Sequence, residues 1–154
     1  MVFTTCLVSC QPPRQNSLLT IASAGKIKSL DPAQASTFDA LQLLSALGDP
    51  LYRLSSKGKL EPRLASGPPK VTDNGLTITI PLRKNIVFHD GTEFNSAAMA
   101  FSLRRFIEIG TLNYIIAGRI DKIQIIDNHT IRLRLTRPSS SLIGLLTSTN
   151  LTPV

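Results

Sequence analysis

His89 and Asp90 stand side by side in "IVFHDGTEF", and an imidazole next to a carboxylate is a pairing that proton transfer can use. Catalysis by such a dyad also needs a nucleophile or a metal within reach. None declares itself nearby. The only other imidazole, His129, falls in a second turn, "DNHT". Cys6 and Cys10 lie within the first ten residues, far from anything with metal-ligand spacing, so neither a zinc site nor an internal disulfide framework fits them. Asp90-Gly91 reads instead as a turn dipeptide. Glycine takes φ > 0 without steric cost, and the aspartate carboxylate bonds its own backbone two residues on. The expectation is a surface turn, with no catalytic residue, metal or cofactor.

The elements on either side of that turn are legible. Leu76, Ile78, Ile80 and Leu82 alternate with Thr77, Thr79, Pro81 and Arg83, the period of a strand with one buried face. Beyond the turn, Met99, Leu103, Phe106 and Ile107 recur at helical spacing, the apolar stripe of a helix over Ser96–Ile109. Asn95 is placed to cap it, and Phe94 with Met99 has the spacing of a hydrophobic staple. Upstream, "LLTIAS" (18–23) reads as a first strand and "SLDP" (29–32) as the loop that leaves it. Thr37 can cap a helix carrying Ala40, Leu43, Leu44 and Leu47, which Gly48 and Pro50 end. "LYRL" resumes an extended segment, "SSKGKL" turns at Gly58, and "EPRLASGPPKV" reads as irregular connection. "IDKIQIID" and "HTIRLRL" flank Asn128 as a hairpin, with Ile123, Ile125, Ile131, Leu133 and Leu135 inward. A short amphipathic piece, Ser140–Leu146, precedes "TSTNLTPV".

Length and composition allow one ordinary domain with a real core, since 154 residues with 42% hydrophobic and 18% charged residues exclude wholesale disorder. The net charge of +7 admits an acidic partner. Its cations are dispersed along the chain, however, and Arg132 and Arg134 alternate with Ile131, Leu133 and Leu135 as the solvated face of a strand. With 5% aromatic residues and no Trp, the clustered, aromatic-interleaved footprint of a nucleic-acid site is missing. No stretch approaches the roughly 18 apolar residues of a spanning helix. "LVSC" (7–10) looks like a bacterial lipobox with Cys10 as the lipid-bearing residue, and "QPPRQNS" behind it has the make-up of a polar tether. It departs from a full signal in lacking a basic start and in the shortness of its apolar run.

Four stretches, in order and spacing, carry a family resemblance: "SLDPAQAS", "DPLYRLSSKGKLEPRLA", "DNGLTITIPLRKNIVFHDGTEF" running into "NSAAMAFSLRR", and "IDNHTIRLRLTRP". The third is the most specific, with Leu82-Arg83-Lys84, Phe88, Asp90-Gly91-Thr92 and Phe101-Ser102 in the family's positions. From Leu18 onward the chain resembles the N-terminal part of the family 5 solute-binding proteins of ABC importers, the oligopeptide-, dipeptide- and nickel-binding lipoproteins.

The resemblance implies a mixed α/β fold, the incomplete N-terminal part of a type II periplasmic-binding-protein-like two-lobe architecture. It implies residues 1–17 as signal or lipobox remnant and tether, and 18–154 as the truncated N-terminal part of the family domain. The implied function is capture of peptides, or of nickel or another small solute, in the periplasm or at the outer face of the cytoplasmic membrane, for delivery to membrane permease subunits. No catalysis, cofactor or nucleic-acid partner is implied. Ser36, Thr37 and Phe38 match a segment that runs along the peptide in oligopeptide binders, and Tyr114 matches a ligand-touching tyrosine. Core packing is the simpler expectation for Phe38 and Tyr114. Asp49-Pro50-Leu51 stands where the family commonly has Glu-Gly-Leu. Family members are several times longer, so the chain reads as a fragment. A hydrolase and a truncated, non-binding structural remnant are the other classes left open.

Overall fold

The computed structural model describes residues 20–154. Cys6, Cys10 and the tether lie outside that range, as does the start of the strand expected over 18–23. Its remainder, Thr20–Ser23, is exposed and pairs with no strand among the described residues.

Helix α1 (Phe38–Leu47) begins as its sequence dictates, with the Thr37 hydroxyl accepting from the Ala40 N–H at 3.4 Å. It ends at Gly48, where a Cβ would sit 2.6 Å from Thr152 Cγ2, so glycine lets the end of the helix close on the C-terminal segment. Strands β1 (Tyr52–Leu54) and β2 (Leu60–Pro62) form an antiparallel hairpin, and Gly58 in its turn takes φ 71°. Strand β3 (Lys70–Thr72) then opens the main sheet and pairs with β4 (Thr77–Pro81). The segment read as irregular, 61–71, thus contributes to two strands. Both are three residues long, too short to show alternation, and only their partners define them.

Helix α2 (Ser96–Ile109) follows the turn. Strands β5 (Ile120–Asp127) and β6 (Thr130–Leu135) make the second hairpin, and α3 (Ser140–Leu145) comes last. The sheet is antiparallel with strand order β3-β4-β6-β5. Its inner face carries Ile78, Ile80, Ile123, Ile131, Leu133 and Leu135, all buried against Met99, Leu103 and Phe106 of α2. Phe94 and Met99, the staple, are both buried, and Asn95 Oδ1 accepts from the N–H groups of Ala97 (2.9 Å) and Ala98 (3.0 Å). Ile125 departs from expectation. It is 46% exposed, because β5 is an edge strand whose register slips between Ile125 and Asp127. Tyr52 is fully buried in the same core, its hydroxyl donating to Gly67 O at 3.1 Å, and burial pushes its pKa well above the usual phenol range. No helix among the described residues is long and apolar enough to cross a membrane.

Candidate functional site

The loop that leads into α1 is held from three directions. Asp31 N–H donates to Ser29 Oγ (3.1 Å), and Asp31 O accepts from Gln34 N (3.0 Å) and Ala35 N (2.9 Å), which closes the loop on itself. Arg105 of α2 grips Asp31 with two parallel bonds, Nη1 to Oδ1 at 2.6 Å and Nη2 to Oδ2 at 2.5 Å. This hydrogen bonding holds the Asp31 carboxyl below its ordinary range, against partial desolvation, and the Ala33 N–H adds in the same direction.

The next four carbonyls are all taken by other elements. Asn150 Nδ2, buried, donates to Pro32 O (2.8 Å) and Ala35 O (2.7 Å). Thr111, just past α2, donates its N–H to Ala33 O (3.0 Å) and its hydroxyl to Gln34 O (3.1 Å). Buried amides and carbonyls left unpaired would each cost on the order of 1–3 kcal/mol, so this set fixes one conformation of the loop. The same bonds make the segment after Thr111 a neighbour of the segment entering α1.

Onto this fixed loop the structure places three of the expected ligand positions. Ser36 is exposed, and among the described residues neither its backbone nor its hydroxyl is engaged. Thr37 differs, because its hydroxyl is spent on capping α1. Phe38 is 73% exposed and Tyr114, in the short 3₁₀ turn Asn113–Ile115, is 71% exposed. Core packing is therefore overturned for both. The buried residues of α1 are Ala40 and Leu44, and at 100° per residue Phe38 points some 160° and 120° away from them.

Arg105, Asp31, Asn150 and Thr111 are the residues that sequence reasoning missed here. Arg105 read as one more surface cation, and Asn150 lies in a tail with no motif. Only the spacing of Asp31 within "SLDP" gave any sign of a structured loop.

The His89-Asp90 turn is built as read. Gly91 takes φ 87°, and Asp90 Oδ1 accepts from Thr92 N (2.9 Å) and Thr92 Oγ1 (2.7 Å), which lowers the Asp90 pKa. The turn borders an open groove of about 750 Å³ between the end of α1 and residues 86–95, with Leu44, Leu47, Val87 and Phe88 among its walls. None of Ser36, Thr37, Phe38 and Tyr114 lines it. Several polar groups on its rim are already committed, Asp49 to Arg63, Asp90 to Thr92 and Asn95 to the first turn of α2. Neither imidazole hydrogen-bonds a hydroxyl or carboxylate among the described residues. Among the same residues no group of three His, Cys, Asp or Glu side chains could hold a metal ion.

The described residues form a mixed helix and sheet scaffold that displays two aromatic rings and free main chain beside a fixed loop. Residues 59–154 match the model of the bacterial extracellular solute-binding proteins, family 5 Middle, and the chain belongs to that family. It is 31% identical over 147 residues to the glutathione-binding protein GsiB of Escherichia coli O6:K15:H31 (strain 536 / UPEC), an alignment covering 94% of this chain and 28% of that protein. The chain thus spans under a third of the length of that relative. Among solved structures it superimposes on the binding protein AgaA in complex with agropinic acid, from A. tumefacien R10, with TM-score 0.77 and 27% identity over 84% of this chain and 26% of that one. The peptide-binding pheromone receptor PrgZ gives TM-score 0.76 and 28% identity, covering 83% and 29%. The fold is accordingly that of part of a periplasmic binding protein, and these relatives are named for the solutes they bind.

Proposed function

We propose that the chain forms one wall of the ligand cleft in the solute-binding subunit of an ABC importer, a non-enzymatic protein that captures a peptide or peptide-like solute outside the inner membrane and hands it to the permease. One observation carries this reading. Ser36 offers unpaired main chain and Phe38 an exposed ring just past a loop whose carbonyls from Asp31 to Ala35 are all used. Tyr114 offers a second exposed ring three residues after Thr111, which is bonded to that loop. Main-chain pairing with apolar side contacts is how an extended peptide is held. A glutathione-binding relative and a peptide-binding structural neighbour support the same ligand class. In this reading residues 1–17 are a signal or lipobox remnant and tether, with Cys10 as the lipid anchor, and 18–154 are the N-terminal part of the family domain.

The test is calorimetry on the complete importer subunit that contains this chain, titrated with reduced glutathione and with a tripeptide mixture. Phe38→Ala and Tyr114→Ala are each expected to weaken binding about ten-fold, as loss of an exposed aromatic contact does, while the melting temperature stays within a degree or two. Full affinity in both variants would remove these residues from the cleft. For the anchor, Cys10→Ser should move the protein from the detergent phase to the aqueous phase. Unchanged partitioning would end that assignment.

A further inference from the structure

The cations that look dispersed in the sequence converge on the outer face of the four-stranded sheet. The strand register lines up two rows across it, Lys70–Thr79–Arg132–Gln124 and Thr72–Thr77–Arg134–Lys122. Most of these side chains line an open polar depression of about 530 Å³. Among the described residues none of Lys70, Lys122, Arg132 and Arg134 is in an ion pair. The one carboxylate in the depression, Asp73, is committed to the Thr77 hydroxyl at 2.6 Å.

Lys122 stands directly opposite Arg134 in the register, an arrangement that destabilises a sheet. Asp73, the one carboxylate lining the depression, does not balance four cations. An external anion would. The face carries no aromatic ring among its row residues, so the stacking platform of a nucleic-acid site is missing. Its hydroxyls and guanidinium groups are donors suited to phosphate oxygens.

We propose that this outer sheet face docks on an anionic phospholipid surface, with Lys70, Lys122, Arg132 and Arg134 meeting headgroup phosphates and Thr72 and Thr79 donating between them. An open face of spread charge suits many headgroups at once better than one enclosed ion. The candidate cleft loop is tied to α2 through Arg105 and to the segment after it through Thr111, and it shares no residue with this face, so docking leaves Phe38 and Tyr114 free. The inference is independent of the ligand reading.

The experiment uses the 154-residue chain carrying Cys10→Ser, so that no acyl chain contributes. Sedimentation is measured with phosphatidylcholine vesicles containing phosphatidylglycerol and with phosphatidylcholine alone. Binding is expected only with the anionic lipid, and to fade as salt rises from about 50 to about 300 mM. R132Q with R134Q should weaken it about 25-fold, at about five-fold per charge removed. The pair R132K and R134K should retain it. K26Q with K28Q removes the same net charge elsewhere and should leave binding within a few-fold. The R134Q change should at the same time raise the melting temperature by relieving the pair with Lys122, a sign opposite to that of a folding defect. Equal losses from both charge-removing pairs, binding to neutral vesicles, or saturable pyrophosphate binding without vesicle binding would each overturn the proposal.

Discussion

At the scale of single residues, Gly91 illustrates how backbone geometry selects side chains. Its φ of 87° lies where L-residues are strained, yet an added Cβ would meet nothing within 4 Å. The cost of a substitution is therefore conformational alone. Gly91→Val should lower stability by about 1–2 kcal/mol, measured by urea unfolding, and Gly91→Asn by less, since Asn tolerates positive φ. Equal stability of the Val variant would contradict the turn geometry. The neighbouring His89 is exposed and unbonded, so the pair His89-Asp90 does its work through the aspartate, which organises the turn. His129 contributes backbone, its carbonyl accepting from Leu82 N at 2.7 Å.

At the scale of elements, the loop before α1 depends on a charged pair, and its stability should follow pH with a definite sign. Asp31 has a folded-state pKa below its unfolded value of about 3.9. Across the window between those values the unfolded chain binds the extra proton, so stability rises with pH. The contribution is complete above about pH 5 and is lost as pH falls through the folded-state value. Asp127, lowered by the N–H of His129, and Asp90, lowered by Thr92, act in the same direction. Arg105→Gln should cost about 2 kcal/mol at neutral pH, the range of a hydrogen bond to a charged group, and should flatten the acid limb of the stability curve. Melting followed from pH 3 to pH 7 checks both. An acid limb of unchanged steepness in Arg105→Gln would assign the effect to Asp127 and Asp90 instead.

At the scale of the whole molecule, the proposed reading gives the chain one wall of the ligand cleft. A ligand held by one wall keeps about half of its favourable contacts and still meets the immobilisation cost of roughly 4 kcal/mol or more. A micromolar binder, near 8 kcal/mol, would then fall past the millimolar range. Residues 1–154 alone should show no saturable binding of glutathione or short peptides by calorimetry at sub-millimolar concentration. Leu30, Leu47 and Val87, 51%, 47% and 64% exposed around the open groove, and the edge strands β3 and β5 should favour self-association. Sedimentation velocity reads this directly. A monodisperse monomer with micromolar peptide affinity would show that the chain holds a complete site by itself.

What the sequence by itself determined is the part governed by local rules. Thr37, Asn95 and Gly48 mark helix ends because capping involves atoms three or four residues away, and Gly58 and Gly91 mark turns because φ is a property of one residue. The alternation of Ile78 and Ile80, and of Ile131, Leu133 and Leu135, named the buried sheet face for the same reason. The family's spaced motifs made the fold class legible as well. Only the tertiary structure decided which distant groups meet. Asp31 and Arg105 are 74 positions apart, and Asn150 lies 118 positions from Pro32, separations at which no periodicity operates. Phe38 and Tyr114 read as core by residue type and turned outward because burial depends on what packs against a face. Lys70, Lys122, Arg132 and Arg134 became one surface for the same reason: strand pairing, which chain order does not show, set their register.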